Sequence, residues 1–123
     1  MAFTPLTQRP NYGTVQATPP TPIPATLADA TTYNTDLMPG GFGGVIFGLT
    51  SSQIVTITIQ RYADLAGAIP VGPLSTQALT AATAGWTGFA DGLPYLSFNC
   101  SIINASGSTA NLTNGSILTG PSL

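Results

Sequence analysis

The sequence predicts an all-β protein of antiparallel strands, either a sandwich or a barrel, and three observations lead to this prediction. Short runs in which apolar and polar residues alternate recur about every ten residues, with turn-forming residues between them. β-Branched residues are frequent in these runs, as is typical of strands. No stretch combines a 3.6-residue periodicity with the capping residues that begin and end a helix.

Residues 53–62 (QIVTITIQRY) and 95–103 (YLSFNCSII) carry the clearest strand pattern. Apolar residues alternate with polar ones in both segments, so the apolar side chains share one face of each strand. The predicted inward faces comprise Val55, Ile57 and Ile59 in the first segment and Leu96, Phe98, Cys100 and Ile102 in the second.

Three further elements are predicted in the first part of the body. Residues 45–47 follow a glycine-rich turn and form a short buried strand. Residues 63–67 (ADLAG) form a turn or bulge. Residues 69–71 form a short edge strand, because Pro70 has no N–H to donate to a second neighbouring strand.

The last third of the chain continues the same pattern. Residues 75–83 (STQALTAAT) suit a strand or a short helix, and the strands on both sides favour a strand. A turn is expected at Asp91–Gly92 and a hairpin loop at residues 104–108. Residues 109–120 form the last strand, with a bulge or turn at Asn114–Gly115.

The first 40 residues differ in composition from the rest, since seven of the eleven prolines lie in residues 1–39. Proline fixes φ and lacks a backbone donor, so this segment is expected to run extended. We therefore predict an extended Pro-rich N-terminal arm over residues 1–40 and a β-sandwich body over residues 41–123. Two interpretations of the arm stay open, a flexible tail and a segment that lies along a neighbouring subunit. Under the second, the partner-binding candidates are Phe3, Pro5, Tyr12, Pro19, Pro20, Pro22 and Pro24.

Charged residues are nearly absent: 5% of the chain is charged, whereas ordinary soluble domains are about 25% charged. The chain contains no Lys, Glu or His, and Thr, Ser, Asn and Gln supply its polarity. A surface of this kind repels its neighbours weakly and favours association. Two arginines cannot form the basic surface that phosphate backbones require, so no nucleic-acid partner is expected.

The same composition removes most catalytic and metal-binding options. Nucleophilic catalysis with a His or Lys base is excluded by residue type. Asp64 and Asp91 are the only carboxylates of the predicted body, and their contexts are those of ordinary turns. The single Cys100 offers neither a zinc cluster nor an intramolecular disulfide, and we expect it to be a buried apolar residue. We therefore expect no enzyme activity, no cofactor and no metal.

Three further features bear on function. No signal peptide or membrane-spanning segment is expected, so we expect synthesis in a reducing cytoplasm and no membrane partner. A body of roughly 80 residues is marginal alone, which favours oligomerisation. The aromatic residues could form a platform for sugar, although burial in the core and in contacts between subunits is favoured. These residues are Tyr62, Trp86, Phe89 and Tyr95.

Residues 55–81, the stretch Asp91–Tyr95, Phe98 and residues 103–118 together resemble small jelly-roll proteins of tailed bacteriophage particles. These are head decoration (cement) proteins and related structural proteins of the virion. The resemblance implies a jelly-roll body that forms a homotrimer on the outside of the capsid, with N-terminal arms that contact the major capsid protein. It implies no catalytic or ligand-binding residues, and it places the protein on the virion surface after synthesis in the host cytoplasm.

Two other functions stay open at this point. The chain could be a structural or host-binding module of a phage tail or fibre, although no repeat or coiled-coil stem is present. It could also be a non-catalytic carbohydrate-binding β domain. Exposure of Tyr62 and Trp86 on one face would favour the carbohydrate-binding function.

Overall fold

The computed structural model describes residues 15–40, 44–89, 91 and 93–120. These residues form two antiparallel sheets that pack against each other as a β-sandwich, and none of them is helical. The predicted all-β sandwich is therefore confirmed. In chain order, the strands are β1 (Val15–Gln16), β2 (Thr26–Leu27), β3 (Thr31–Asn34), β4 (Met38–Pro39), β5 (Gly44–Ser51), β6 (Thr56–Tyr62), β7 (Pro70–Ala78), β8 (Ala84–Phe89), β9 (Ser97–Asn104) and β10 (Ala110–Gly120).

The two sheets have the same construction. In the first sheet the order is β1-β10-β5-β8, and β2 pairs with the same free edge of β10 as β1. In the second sheet the order is β3-β9-β6-β7, and β4 pairs with β9 next to β3. Each sheet therefore has one edge strand that is interrupted in the middle.

The pairing of the strands is nested along the chain when each interrupted edge is counted as one strand. The first edge (β1 and β2) pairs with the last strand β10, and the second edge (β3 and β4) pairs with β9. Inside these pairs, β5 pairs with β8, and β6 pairs with β7. The turn between β6 and β7 is thus the centre of the nested set.

Side chains from both sheets fill the space between them. The alternation predicted for β6 is confirmed, because Val55, Ile57 and Ile59 are all buried. The other buried apolar residues are Leu27, Tyr33, Met38, Val45, Phe47, Leu49, Leu79, Tyr95, Phe98, Cys100, Ile102, Ala110, Leu112 and Ile117.

One residue that was predicted for the inward face of β9, Leu96, does not face inward. Leu96 is half exposed, while Ser97 is buried. The strand begins only at Ser97, and the chain bends at Leu96, whose N–H donates to the carbonyl of Tyr62 at 2.9 Å. The alternation therefore does not extend through Leu96, and the inward face of β9 begins at Phe98.

The structure also corrects the predicted boundary between an arm and a body at residue 40. Residues 15–40 contain β1–β4 and contribute Leu27, Tyr33 and Met38 to the core. These strands are short and lie at sheet edges, where a missing N–H is tolerated. The prolines lie mostly between the strands, so the apolar residues around them can still face inward.

The Pro-rich segment 17–25 closes one side of the sandwich. The N–H of Ala17 donates to the carbonyl of Ile117 at 2.8 Å, which holds the segment on β10. The hydroxyl of Tyr33, in the other sheet, donates to the carbonyl of Thr21. Because this segment bonds to the β10 edge between β1 and β2, it covers backbone groups of β10 that another strand could otherwise pair with.

Three local predictions are confirmed. The register of β10 shifts between Thr113 and Ser116, where Asn114 has a left-handed φ of 56°, so the expected bulge is present. Ile23 packs so closely over Gly115 that a β-carbon there would lie 2.8 Å from its Cδ1. Residues 63–67 form a turn, and the edge position predicted for Pro70 is confirmed. The bounds of the strand are different, because the predicted strands 69–71 and 75–83 are replaced by the single strand β7, which ends at Ala78.

The burial of Leu27 provides a test of the corrected boundary. Leu27→Ala removes a core side chain and should lower the free energy of unfolding by about 2–4 kcal/mol. Urea unfolding followed by fluorescence measures this change. The exposed Thr18→Ala is the control, with a change of roughly 0.5 kcal/mol or less. Equal, small effects of both substitutions would mean that residues 15–40 are not part of the folded body.

Candidate interaction surfaces

Two loops meet at the end of the sandwich where β6 ends and β9 begins. The first is the 63–69 loop, and the second is the connection from Asp91 to Leu96, of which Asp91 and residues 93–96 are described. The hydroxyl of Ser97 donates to the carbonyl of Asp64 at 2.6 Å, which joins the two loops.

Asp64 holds the first loop in shape. Its carboxylate accepts hydrogen bonds from the N–H groups of Ala68, at 3.0 and 3.1 Å, and of Ile69, at 3.0 Å. These donors favour the charged form, and the bond from Ile69 has the largest effect in lowering the pKa of Asp64. The predicted role of Asp64 as a turn residue agrees with this geometry.

Arg61 lies beneath the second loop and is completely buried. Its two terminal nitrogens donate to the two carboxylate oxygens of Asp91 at 2.6 and 2.8 Å. The guanidinium also lies 3.7 Å from the ring centre of Phe89, on β8 of the other sheet. A buried charge is costly unless it is paired, so this bidentate contact fixes Asp91 over the end of β6.

The surroundings of Arg61 fit it closely. Gly72 has a φ of 68°, and a β-carbon there would lie 3.2 Å from a terminal nitrogen of Arg61. Asp91 also accepts the N–H of Leu93 at 3.1 Å, which shapes the second loop. The hydrogen bonds from Arg61 are the largest cause that lowers the pKa of Asp91, to about 2.

Four large aliphatic side chains are exposed on these two loops. Their exposed fractions are 69% for Leu65, 58% for Ile69, 42% for Leu93 and 50% for Leu96. We refer to these four residues as the apolar end of the sandwich. Large apolar side chains that are exposed on adjoining loops indicate a candidate interaction surface.

The outer face of the first sheet is a second candidate surface. Ile46 and Trp86 are exposed there, at 42% and 63%. Ile46 lines a groove of about 290 Å³, with Gly48 and Gly85 among the other lining residues. Glycines at these positions keep the groove open, because a β-carbon on Gly48 would lie 3.0 Å from the carbonyl oxygen of Gly85.

The outer face of the second sheet is polar. The hydroxyls of Thr58 on β6 and Ser101 on β9 are hydrogen-bonded to each other. The side-chain amide N–H of Asn99 on β9 donates to the side-chain oxygen of Asn34 on β3. This face therefore carries hydroxyl and amide groups that bond partly to one another, and Ile103 of β9 is exposed on it as well.

The four aromatic residues that could have formed a sugar platform do not share a face. Trp86 lies on the outer face of the first sheet, and Tyr62 lies on the second sheet, at the end of β6. Tyr95 is buried, and Phe89 packs under Arg61. Tyr62 and Trp86 are therefore not exposed on one face, which is the arrangement that would have favoured a carbohydrate-binding domain.

The predicted partner-binding residues divide into two groups. Phe3, Pro5 and Tyr12 lie outside the described residues. The other four lie in the 17–25 segment, where Pro20 and Pro22 are exposed and Pro19 and Pro24 are half-buried. Their role in binding a partner stays a prediction.

Sequence reasoning found the turns at Asp64 and Asp91 but missed the apolar end. No pattern in the sequence marks the four residues of the apolar end as exposed. The available signal was the unusual Arg61 on the inward face of β6, because an inward arginine in a chain with so few charges must find a carboxylate nearby.

Comparisons with protein-family models, with curated proteins and with solved structures found no match. Within the described ranges, the structure has no helix with the length and apolar character needed to cross a membrane.

The Arg61–Asp91 pair gives an expected dependence of stability on pH. The folded-state pKa of Asp91 is about 2, below its ordinary value of 3.8. The ion pair therefore stabilises the fold fully above about pH 4, and this contribution is lost as the pH falls toward 2. Asp91→Asn should cost roughly 2–3 kcal/mol at pH 7, below the roughly 3–5 kcal/mol of a fully buried pair, because the carboxylate is partly exposed.

Urea unfolding of both proteins from pH 7 to pH 2 measures this effect. The difference between wild type and Asp91→Asn should be constant above about pH 5 and shrink toward pH 2. A difference that stays constant down to pH 2 would show that the charge of Asp91 does not stabilise the fold.

The thiol of Cys100 should be unreactive in the folded protein. Cys100 is fully buried, and this burial raises the pKa of its thiol far above the usual range. A chromogenic disulfide reagent should therefore label it only in denaturant, at the rate of unfolding. Rapid labelling of the native protein would contradict the packing of β9.

Proposed function

We propose that this protein is a non-catalytic structural protein of a tailed-bacteriophage virion, which decorates and cements the outside of the capsid as a homotrimer. Its N-terminal residues contact the major capsid protein in this proposal. The observation that carries it is a nearly uncharged sandwich with several large apolar side chains exposed, including the apolar end. Such a surface suits permanent contact with other protein surfaces.

The strand order supports a jelly-roll fold for this sandwich. A jelly roll contains eight strands in two sheets, connected as two Greek keys. Eight strands result here when β1 with β2 and β3 with β4 are each counted as one, and their pairs are nested from the first and last to β6 and β7. This type of sandwich occurs in viral capsid proteins, which agrees with the sequence resemblance.

The mechanism follows from multivalent contact. A pressurised shell fails where its capsomers separate, so a subunit that binds two of them at once opposes the separation. Residues 1–14 precede β1 and could span at most about 50 Å when fully extended. Three such segments in a trimer would contact different capsomers, and the linked contacts would bind far more strongly than one alone.

Docking would carry a small desolvation cost. The chain has only six charged side chains, and two of its carboxylates, Asp64 and Asp91, are already bonded within the apolar-end loops. When the protein binds, the charge of Asp91 stays compensated by Arg61, and the carboxylate of Asp64 keeps its hydrogen bonds to backbone N–H groups.

Co-sedimentation with capsid shells that lack the protein tests this proposal. The full-length protein should bind in a saturable way, and a variant without residues 1–14 should bind at least about tenfold more weakly, because the linked contacts are lost. This variant keeps β1–β10, whereas removal of residues 1–40 would delete core side chains and unfold the sandwich. Its unfolding midpoint should match that of wild type.

Two outcomes would overturn the proposal in different ways. If the full-length protein does not bind shells, the cement function fails, and binding to purified tails instead would favour the tail-associated function. If the truncated variant binds as tightly as wild type, the N-terminal residues do not contact the capsid. Light scattering should give three times the 12.5 kDa chain mass, and a monomer would contradict the trimer.

A further inference from the structure

The apolar end of the sandwich is, we propose, the surface that rests on the capsid, against a recess of the shell that is apolar and uncharged. This inference rests on the proposed function and deepens it, because it specifies the orientation of the protein and the chemistry of the partner surface. Three independent features of the described residues support it.

The first feature is the position of Val15, the residue that follows residues 1–14 in the chain. Val15 pairs with Thr119, which also pairs with Val45 on the other side of β10, and Val45 pairs with Phe89. Phe89 is the last residue of β8 and contacts Arg61 near the end of β6. Val15, to which residues 1–14 are joined, therefore lies at the same end of the sandwich as the apolar side chains.

A segment and a surface that emerge at one end would contact the same neighbour. Binding of residues 1–14 would then hold the apolar end at a high effective concentration over the shell. An apolar end directed away from the shell would gain nothing from this arrangement.

The second feature is the preorganisation of the two loops. Asp64 fixes the 63–69 loop through three hydrogen bonds, and the Arg61–Asp91 pair fixes the second loop. The hydroxyl of Ser97 bonds the second loop to the first. Side chains that are already held in position lose little conformational entropy on binding, which favours affinity.

The third feature is the charge at this end. The carboxylate of Asp64 is bonded to N–H groups of its own loop, and that of Asp91 to a buried guanidinium. Asp91 and Arg61 compensate each other, so the only uncompensated charge that these loops offer to a charged partner surface is the carboxylate of Asp64. A partner surface without charge would complement them, because apolar side chains then replace water on both sides.

The opposite end of the sandwich is a weaker candidate. Ile54 and Ile103 are exposed there, at 60% and 40%, beside a groove of about 410 Å³. Val15, to which residues 1–14 are joined, lies at the other end of the sandwich. Its exposed side chains therefore serve as the matched control.

The test introduces one charge at each end in turn. Leu65→Asp and Ile54→Asp replace side chains of similar exposure, so both variants should keep the unfolding midpoint of wild type. Co-sedimentation with shells that lack the protein then gives the two affinities. Leu65→Asp should bind at least tenfold more weakly than wild type, because an unpaired charge would be buried in the contact, whereas Ile54→Asp should bind like wild type.

Each other outcome has its own meaning. If wild type binds and Leu65→Asp binds equally well, or if both variants lose binding, the orientation is wrong while the cement function stands. Loss of binding by Ile54→Asp alone would assign the contact to the opposite end. If wild type itself does not bind, the proposed function fails, and this inference fails with it. A double variant, Leu65→Ser with Leu96→Ser, should weaken binding without any added charge, which separates loss of apolar contact from electrostatic repulsion.

Discussion

The ion pair between Arg61 and Asp91 is the constraint on which the shape of one end of this sandwich depends. A fully buried guanidinium is tolerated only where it is paired, and its two hydrogen bonds to Asp91 place the loop before β9 directly over the end of β6. The guanidinium also packs on Phe89 of the opposite sheet, so a single side chain links β6, β8 and the loop. Replacing a buried ion pair by apolar residues can leave the stability of a protein unchanged. We therefore attribute the importance of this pair to the way it holds the loop before β9 in place over the end of β6.

The apolar end follows from this constraint. Leu93 and Leu96 are exposed because the loop that carries them is tied down at Asp91 and at the carbonyl of Tyr62. Leu65 and Ile69 are exposed because Asp64 turns the neighbouring loop back on itself. The two carboxylates near this end are thus hydrogen-bonded within the protein, and the large exposed side chains offered to a partner are apolar. Because the chain has so few charged residues, the positions of these residues contribute more to the structure than their number contributes to solubility.

The Pro-rich segment has a different role in the fold from the one that its composition suggests. Residues 17–25 run between β1 and β2 and contact both sheets, and they cover backbone groups of β10 that could otherwise pair with other chains. A protein with a weakly repulsive surface needs this protection, since low charge and free strand edges both promote unspecific association. Association is then limited to surfaces with defined side chains, such as the apolar end.

The sequence by itself determined the all-β class, the strands with strict alternation and the turns with characteristic residues. Ile57 and Ile59 face inward as predicted, and Asn114–Gly115 forms the expected bulge, because alternation and turn chemistry are local properties of the chain. Only the tertiary structure decided that Leu27 and Met38 belong to the core and that Leu96 points outward. These outcomes depend on pairings between distant residues, such as Val15 with Thr119 and Arg61 with Asp91. No local pattern encodes which distant strand or carboxylate becomes the neighbour, since that choice is made by the packing of the whole sandwich.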